Sequence, residues 1–230
     1  CGAVHPGAMA DAVVKHGAAA GIALDGDADR LIVADETGHV LDGDQILACL
    51  AVAMKEDGRL CGDGVVGTVM SNRAFESYLM EHGLKLHRAR VGDRHILEMM
   101  RQTGINLGGE QSGHILLTSL GTSGDGLVAA LQLLALLKLS KKPASQLFNA
   151  FTPSPQKLEN LRGLDPAILQ DEGVKADLAK IERKLGDAGR ILVRPSGTEA
   201  LVRVMVDADD DTLLETTMAE IIMRLQRDAA

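Results

Sequence analysis

The chain has 230 residues, with 24 Lys and Arg against 32 Asp and Glu, a formal net charge of -8 at pH 7. That length and apolar content suit one large or two ordinary domains of a soluble globular protein, while the acidic balance and the scarcity of aromatics (one Tyr, three Phe, no Trp) argue against nucleic acid as a partner. Cys1, Cys49 and Cys61 are odd in number and form no Cys-x-x-Cys pair, which speaks against a disulfide framework or zinc site and for a reducing cytoplasm.

No charged and apolar leader opens the chain, which starts at Cys1 inside what reads as an element, so residues upstream are expected. Met9, Ala12 and Val13 share one face of a helix over 8–16, and Gly17 and Gly21 stop it before a strand over 22–24. A second strand over 31–35, a turn at Glu36-Thr37-Gly38 and a short return over 39–41 follow, and Asp42 is a natural N-cap for an apolar helix over 45–55. The pattern then alternates: strand 64–69, helix 74–82, strand 85–91, helix 94–103 and strand 105–108, which predicts βαβ units and a mostly parallel sheet. The apolar run 127–139, interrupted by Gln132 and Lys138, is shorter than the roughly 20 residues that span a bilayer. It reads as a buried helix covering that sheet, and no membrane partner is expected. A short helix over 143–151 ends at Thr152-Pro153-Ser154-Pro155, where a domain boundary is placed. Beyond it, strands near 156–161, 190–193 and 200–207 with helices over 174–185 and 212–227 suggest a smaller α+β domain with an antiparallel sheet.

Three stretches carry chemistry. Asp25-Gly26-Asp27-Ala28-Asp29-Arg30 lies between two apolar runs. Its three carboxylates on one tight turn would repel one another unless a hard cation such as Mg2+ sits among them. An EF-hand loop would also begin Asp-x-Asp-x-Asp, with Glu36 at its twelfth position, but it needs Gly where Arg30 stands. A solvated acidic turn with no ligand is the plainer alternative. Gly108-Gly109-Glu110-Gln111-Ser112-Gly113-His114 packs a carboxylate, a hydroxyl and an imidazole between glycines, a set suited to a polyol substrate, although His114 alone could be structural. Arg194-Pro195-Ser196-Gly197-Thr198-Glu199, with Arg203 on the next strand, offers guanidinium, hydroxyls and loop amides for a phosphate; a hairpin turn with a surface Arg is the alternative.

Taken together, in this order and with about 80 residues between successive stretches, these loops resemble the α-D-phosphohexomutase superfamily, and the resemblance runs from Cys1-Gly2-Ala3-Val4-His5-Pro6 onward. It implies four domains around one cleft, of which residues 1–35 would be the end of the second with the metal loop, 36–151 the third and 152–230 the fourth. The implied roles are Mg2+ binding by Asp25, Asp27 and Asp29, sugar contacts from Glu110 and Ser112, and proton transfer by His114. Arg30, Arg194, Ser196, Gly197, Thr198 and Arg203 would bind the phosphosugar substrate. The Gly109 to His114 loop most resembles the members that interconvert glucosamine 6-phosphate and glucosamine 1-phosphate through a bisphosphate, supplying cell-wall precursors. A phosphomannomutase or phosphoglucomutase of the same superfamily is the alternative.

One departure stands against these matches. The family's phosphoryl donor is a phosphoserine in a Ser-His-Asn setting, whereas the first serine here is Ser71. The chain is therefore expected to be a C-terminal portion, inactive alone, with the missing N-terminal domains of the same protein as its partner; a homodimer stays open. Two further readings remain: a phosphatase with Asp25 as nucleophile, and a non-catalytic sugar-phosphate binding module.

Overall fold

The computed structural model describes residues 2–196, 199 and 201–227, and its first element is α1 (Gly7–His16), which Gly17 ends in a left-handed conformation. α1 buries Ala10 and Val13 against Ala34. β1 (Ala20–Leu24) and β2 (Leu31–Asp35) pair antiparallel with Leu24 opposite Leu31, so residues 25–30 are the loop of a hairpin. β3 (Val40–Leu41) adds to β2, completing a sheet of order β1-β2-β3. The β2–β3 turn is built on the buried Asp35 carboxylate, which accepts from the Thr37 N–H and hydroxyl and from the His39 N–H.

α2 (Gly43–Glu56) begins with a capping box between Asp42 and Gln45 and is apolar on almost every side, as a helix inside a core must be. After it come β4 (Gly64–Thr68), α3 (Arg73–Glu81), β5 (Lys85–Ala89), α4 (Asp93–Thr103), β6 (Leu107–Gly109) and β7 (Ile115–Leu117). The sheet has order β5-β4-β6-β7, parallel across β4–β5 and β4–β6 and antiparallel across β6–β7. Leu47, Phe75, Leu79, Leu107 and Leu133 are among the residues of the core it shares with α2, α3 and α5 (Gly126–Ser140). Contacts divide the chain into Cys1–Thr152 and Pro153–Ala230.

In the C-terminal unit, β8 (Gln156–Arg162), β9 (Gly189–Pro195) and β10 (Leu201–Ala208) form an antiparallel sheet of order β8-β10-β9. Val202, Val204 and Val206 recur with the strand period of two and join a core with Val174 and Ile181 of α7 (Glu172–Leu185) and Met218 and Ile221 of α8 (Asp211–Arg227). That alternation puts Arg203 on the opposite face of β10. The fold is thus α/β with a mixed sheet, followed by a smaller α+β unit with an antiparallel sheet.

Three local expectations need correction. The sequence gives no strand over 115–117, because three residues are too few to show alternation, yet they form β7 and turn the mixed sheet antiparallel at its edge. The short helix expected over 143–151 shrinks to α6 (Ala144–Leu147), with Phe148 buried in the core instead. And α5 is not buried all round: Ala129, Ala130 and Leu133 are, whereas Leu127, Leu131 and Leu139 are 55%, 54% and 79% exposed. Leucine on every face of α5 hides which face packs, and here it is the one against α2, β2 and β7.

Candidate functional site

The β1–β2 hairpin holds three carboxylates with no strand pairing of their own. Asp25, Asp27 and Asp29 each offer an oxygen, and these lie within 4.8 Å of one another. Ala28 between them takes a left-handed φ of 60°, an unfavourable conformation for a residue with a Cβ. The conformation is held from outside, since the Gly126 N–H donates to the Ala28 carbonyl at 2.9 Å. The Arg30 N–H donates to Asp25 Oδ1 at 3.1 Å, and the Arg30 guanidinium lies 3.5 Å from Asp25 Oδ2.

These contacts set the charges apart. Burial raises the Asp25 carboxyl, but the Arg30 N–H, Asp29 and the Arg30 guanidinium outweigh it and leave it below its ordinary value. Asp29 goes the other way, held up by burial and by the charges of Asp25 and Asp27, with His114 acting against them. Asp29 Oδ1 is buried without a hydrogen-bond partner. Crowded carboxylates with one orphaned oxygen are a hard-cation donor set, so the residues present fit a divalent ion.

The 109–114 loop reaches this hairpin. Arg30 and His114 form an isolated antiparallel bridge, and the Leu31 N–H donates to the Gly113 carbonyl at 2.8 Å. Gly113 has a φ of 93°, and a Cβ there would meet the Leu31 carbonyl oxygen at 2.3 Å, so only glycine lets the two backbones approach this closely. Ser112 Oγ donates to Glu110 Oε2 at 3.1 Å, and Glu110 Oε1 accepts from the Gly92 N–H at 2.9 Å. The His114 ring is 6% exposed, with Nδ1 2.5 Å from Asp93 Oδ1 and Nε2 4.0 Å from Asp29 Oδ2.

In the C-terminal unit Arg194 of β9 stands directly opposite Arg203 of β10. Burial, and then the neighbouring Arg203 charge, lower the Arg194 pKa. Arg203 Nε is buried without a hydrogen-bond partner, while its terminal nitrogen reaches only to 4.0 Å from Glu199. The Ser196 N–H donates to the Leu201 carbonyl at 2.9 Å, which closes the β9–β10 turn. Two adjacent guanidiniums, one with an unpartnered Nε, are a donor set suited to an anion.

The structure therefore brings Asp25, Asp27, Asp29, Arg30, Glu110, Ser112 and His114 together in one unit, and Arg194, Ser196 and Arg203 in the other. Gly197 and Thr198 lie outside the described residues. Asp93 and Gly92 were not anticipated, since a Gly-Asp pair before a helix reads as an ordinary helix start.

The sequence model for the phosphoglucomutase/phosphomannomutase alpha/beta/alpha domain III matches residues 42–154, and that for the phosphoglucomutase/phosphomannomutase C-terminal domain matches residues 156–223. The chain belongs to this family. Among curated relatives, the phosphoglucosamine mutases of Phenylobacterium zucineum and Azorhizobium caulinodans are each 51% identical to it over the whole chain. The chain spans about half the length of these relatives, 51% of each. Two solved structures share the fold. A phosphoglucomutase/phosphomannomutase family protein from Burkholderia thailandensis has a TM-score of 0.78 at 23% identity, covering 98% of this chain and 51% of that one. The Aspergillus fumigatus N-acetylphosphoglucosamine mutase, solved with GlcNAc-6P and magnesium, has a TM-score of 0.74 at 20% identity, covering 90% and 48%.

Proposed function

We propose that this chain supplies the ion-binding, sugar-binding and phosphate-binding parts of an enzyme that interconverts glucosamine 6-phosphate and glucosamine 1-phosphate. The observation that carries this reading is the Arg30–His114 bridge, which sets the polar loop against the acidic hairpin with the imidazole 4.0 Å from Asp29. The name shared by the relatives at 51% identity supports the choice of sugar. Asp25, Asp27 and Asp29 would hold Mg2+, which when bound neutralises charge on a phosphoryl group. Glu110 and Ser112, already oriented by each other, accept from and donate to sugar hydroxyls. Arg194 and Arg203, with Ser196 and the loop residues Gly197 and Thr198, take the phosphate that is not being transferred. His114 offers Nε2 for proton exchange. The cysteine usage suits a cytoplasmic enzyme, Cys49 and Cys61 being free thiols, and no described helix is long and apolar enough to cross a membrane.

A second reading applies to these 230 residues by themselves. The first serine, Ser71, is fully buried, so no phosphoryl donor is offered near the acidic hairpin by a serine preceding it, and the chain alone binds phosphosugar without turnover. Competitive calorimetry with glucosamine, glucose and mannose 6-phosphates in the presence of Mg2+ tests both readings. Tightest binding of the glucosamine ester, with no isomerisation, is expected; preference for mannose or glucose would reassign the substrate, and turnover would refute the second reading.

A further inference from the structure

Gly92 and Asp93, at the start of α4, grip the polar loop at both ends. The Gly92 N–H donates to Glu110 Oε1 at 2.9 Å, and Asp93 Oδ1 lies 2.5 Å from His114 Nδ1. Gly92 has a φ of 115°, which L side chains rarely adopt, so this turn depends on glycine. An acidic residue in the first turn of a helix is ordinarily explained by the helix dipole. Asp93 does more than that, because its oxygen is directed at an imidazole twenty-one positions further along, on another loop.

The other edge of the ring is equally constrained. His114 Nε2 is buried, has no hydrogen-bond partner and lies 4.0 Å from Asp29 Oδ2. Gly124 covers it so closely that a Cβ there would stand 1.7 Å away. The ring can neither turn over nor move off without losing Asp93.

We propose that Asp93 is a positioning residue for the site: by accepting from Nδ1–H it fixes the tautomer and orientation of His114, with the Nε2 edge held toward the acidic hairpin. A carboxylate behind an imidazole acts in this way because it only accepts, so the nitrogen facing it must carry the hydrogen. The inference rests on the proposed function for its meaning, but the ring assignment is read independently of any substrate.

The test is the long-range proton–nitrogen spectrum of the His114 ring in the ligand-free chain, recorded at a pH where the spectrum itself shows a neutral ring. The wild-type chain should show the hydrogen on Nδ1. In Asp93→Ala, which leaves Nδ1 no acceptor while Nε2 still faces Asp29, it should move to Nε2. A wild-type ring carrying its hydrogen on Nε2 alone overturns the proposal without any variant, and so does an Asp93→Ala ring that keeps the wild-type pattern. A wild-type chain that binds no sugar phosphate but shows the hydrogen on Nδ1 contradicts the proposed function and upholds the assignment of Asp93.

Discussion

Arg194 and Arg203 face each other directly across β9 and β10, two cations in register on adjacent strands. Like charges directly opposite destabilise a strand pair by about 0.2–1 kcal/mol, and an anion between them reverses that cost. Replacing Arg203 with Gln should therefore leave the ligand-free unit as stable or slightly more stable, while abolishing the stabilisation that glucosamine 6-phosphate gives the wild type in thermal melts. Arg194→Ala, losing a charge-assisted pair of roughly 1.5–3 kcal/mol, should weaken phosphosugar binding roughly 10- to 150-fold. Arg194→Lys should recover only part of that, since an ammonium lacks the planar two-point contact.

The acidic hairpin should bind Mg2+ in proportion to its charge. Asp27→Asn removes one of three ligands and should weaken the ion by roughly ten-fold or more in a calorimetric titration. Unchanged affinity would mean that the loop is a solvated turn.

A buried carboxyl beside the polar loop, where the Gly43 N–H donates to the Gln111 carbonyl at 3.0 Å, sets a pH dependence. Asp44, fully buried at the start of α2, accepts from the Asn72 N–H at 2.7 Å but leaves Oδ1 without a partner. Burial, and then the nearby Asp42 charge, push its pKa from 3.8 up to about 7. The folded state thus binds the extra proton between these values, so stability is full at low pH within this window and falls as pH rises toward 7. The span corresponds to roughly 4 kcal/mol at most. Urea unfolding at pH about 5 and about 8 should show a loss on going up in pH that Asp44→Asn, which keeps the acceptor for Asn72, largely removes.

The exposed face of α5 should tolerate change that its buried face does not. Leu131→Gln should shift stability by less than about 0.5 kcal/mol, whereas Leu133→Ala should cost roughly 2–5 kcal/mol. The same pair shows where the sequence was opaque. Valines at 202, 204 and 206 line one face of β10, but Leu201 and Met205 on the face of Arg203 are apolar and buried too, so the sequence marks the strand without marking its exposed side. Along α5 nearly every position is apolar, so no period survives to be read. The acidic and polar loops were legible, since carboxylates, hydroxyl and imidazole set among glycines carry their chemistry in composition alone. Asp93 was not, because its role depends on a contact between the start of α4 and a loop twenty-one residues further along.

The account stands most directly on an amide proton–nitrogen titration of the chain with glucosamine 6-phosphate in the presence of Mg2+. It predicts shifts at Glu110 to His114 and around Asp25 to Arg30 in the N-terminal unit, together with Arg194, Ser196 and Arg203 in the C-terminal unit. Binding that leaves both sets still, or perturbs only residues outside these loops, would contradict it.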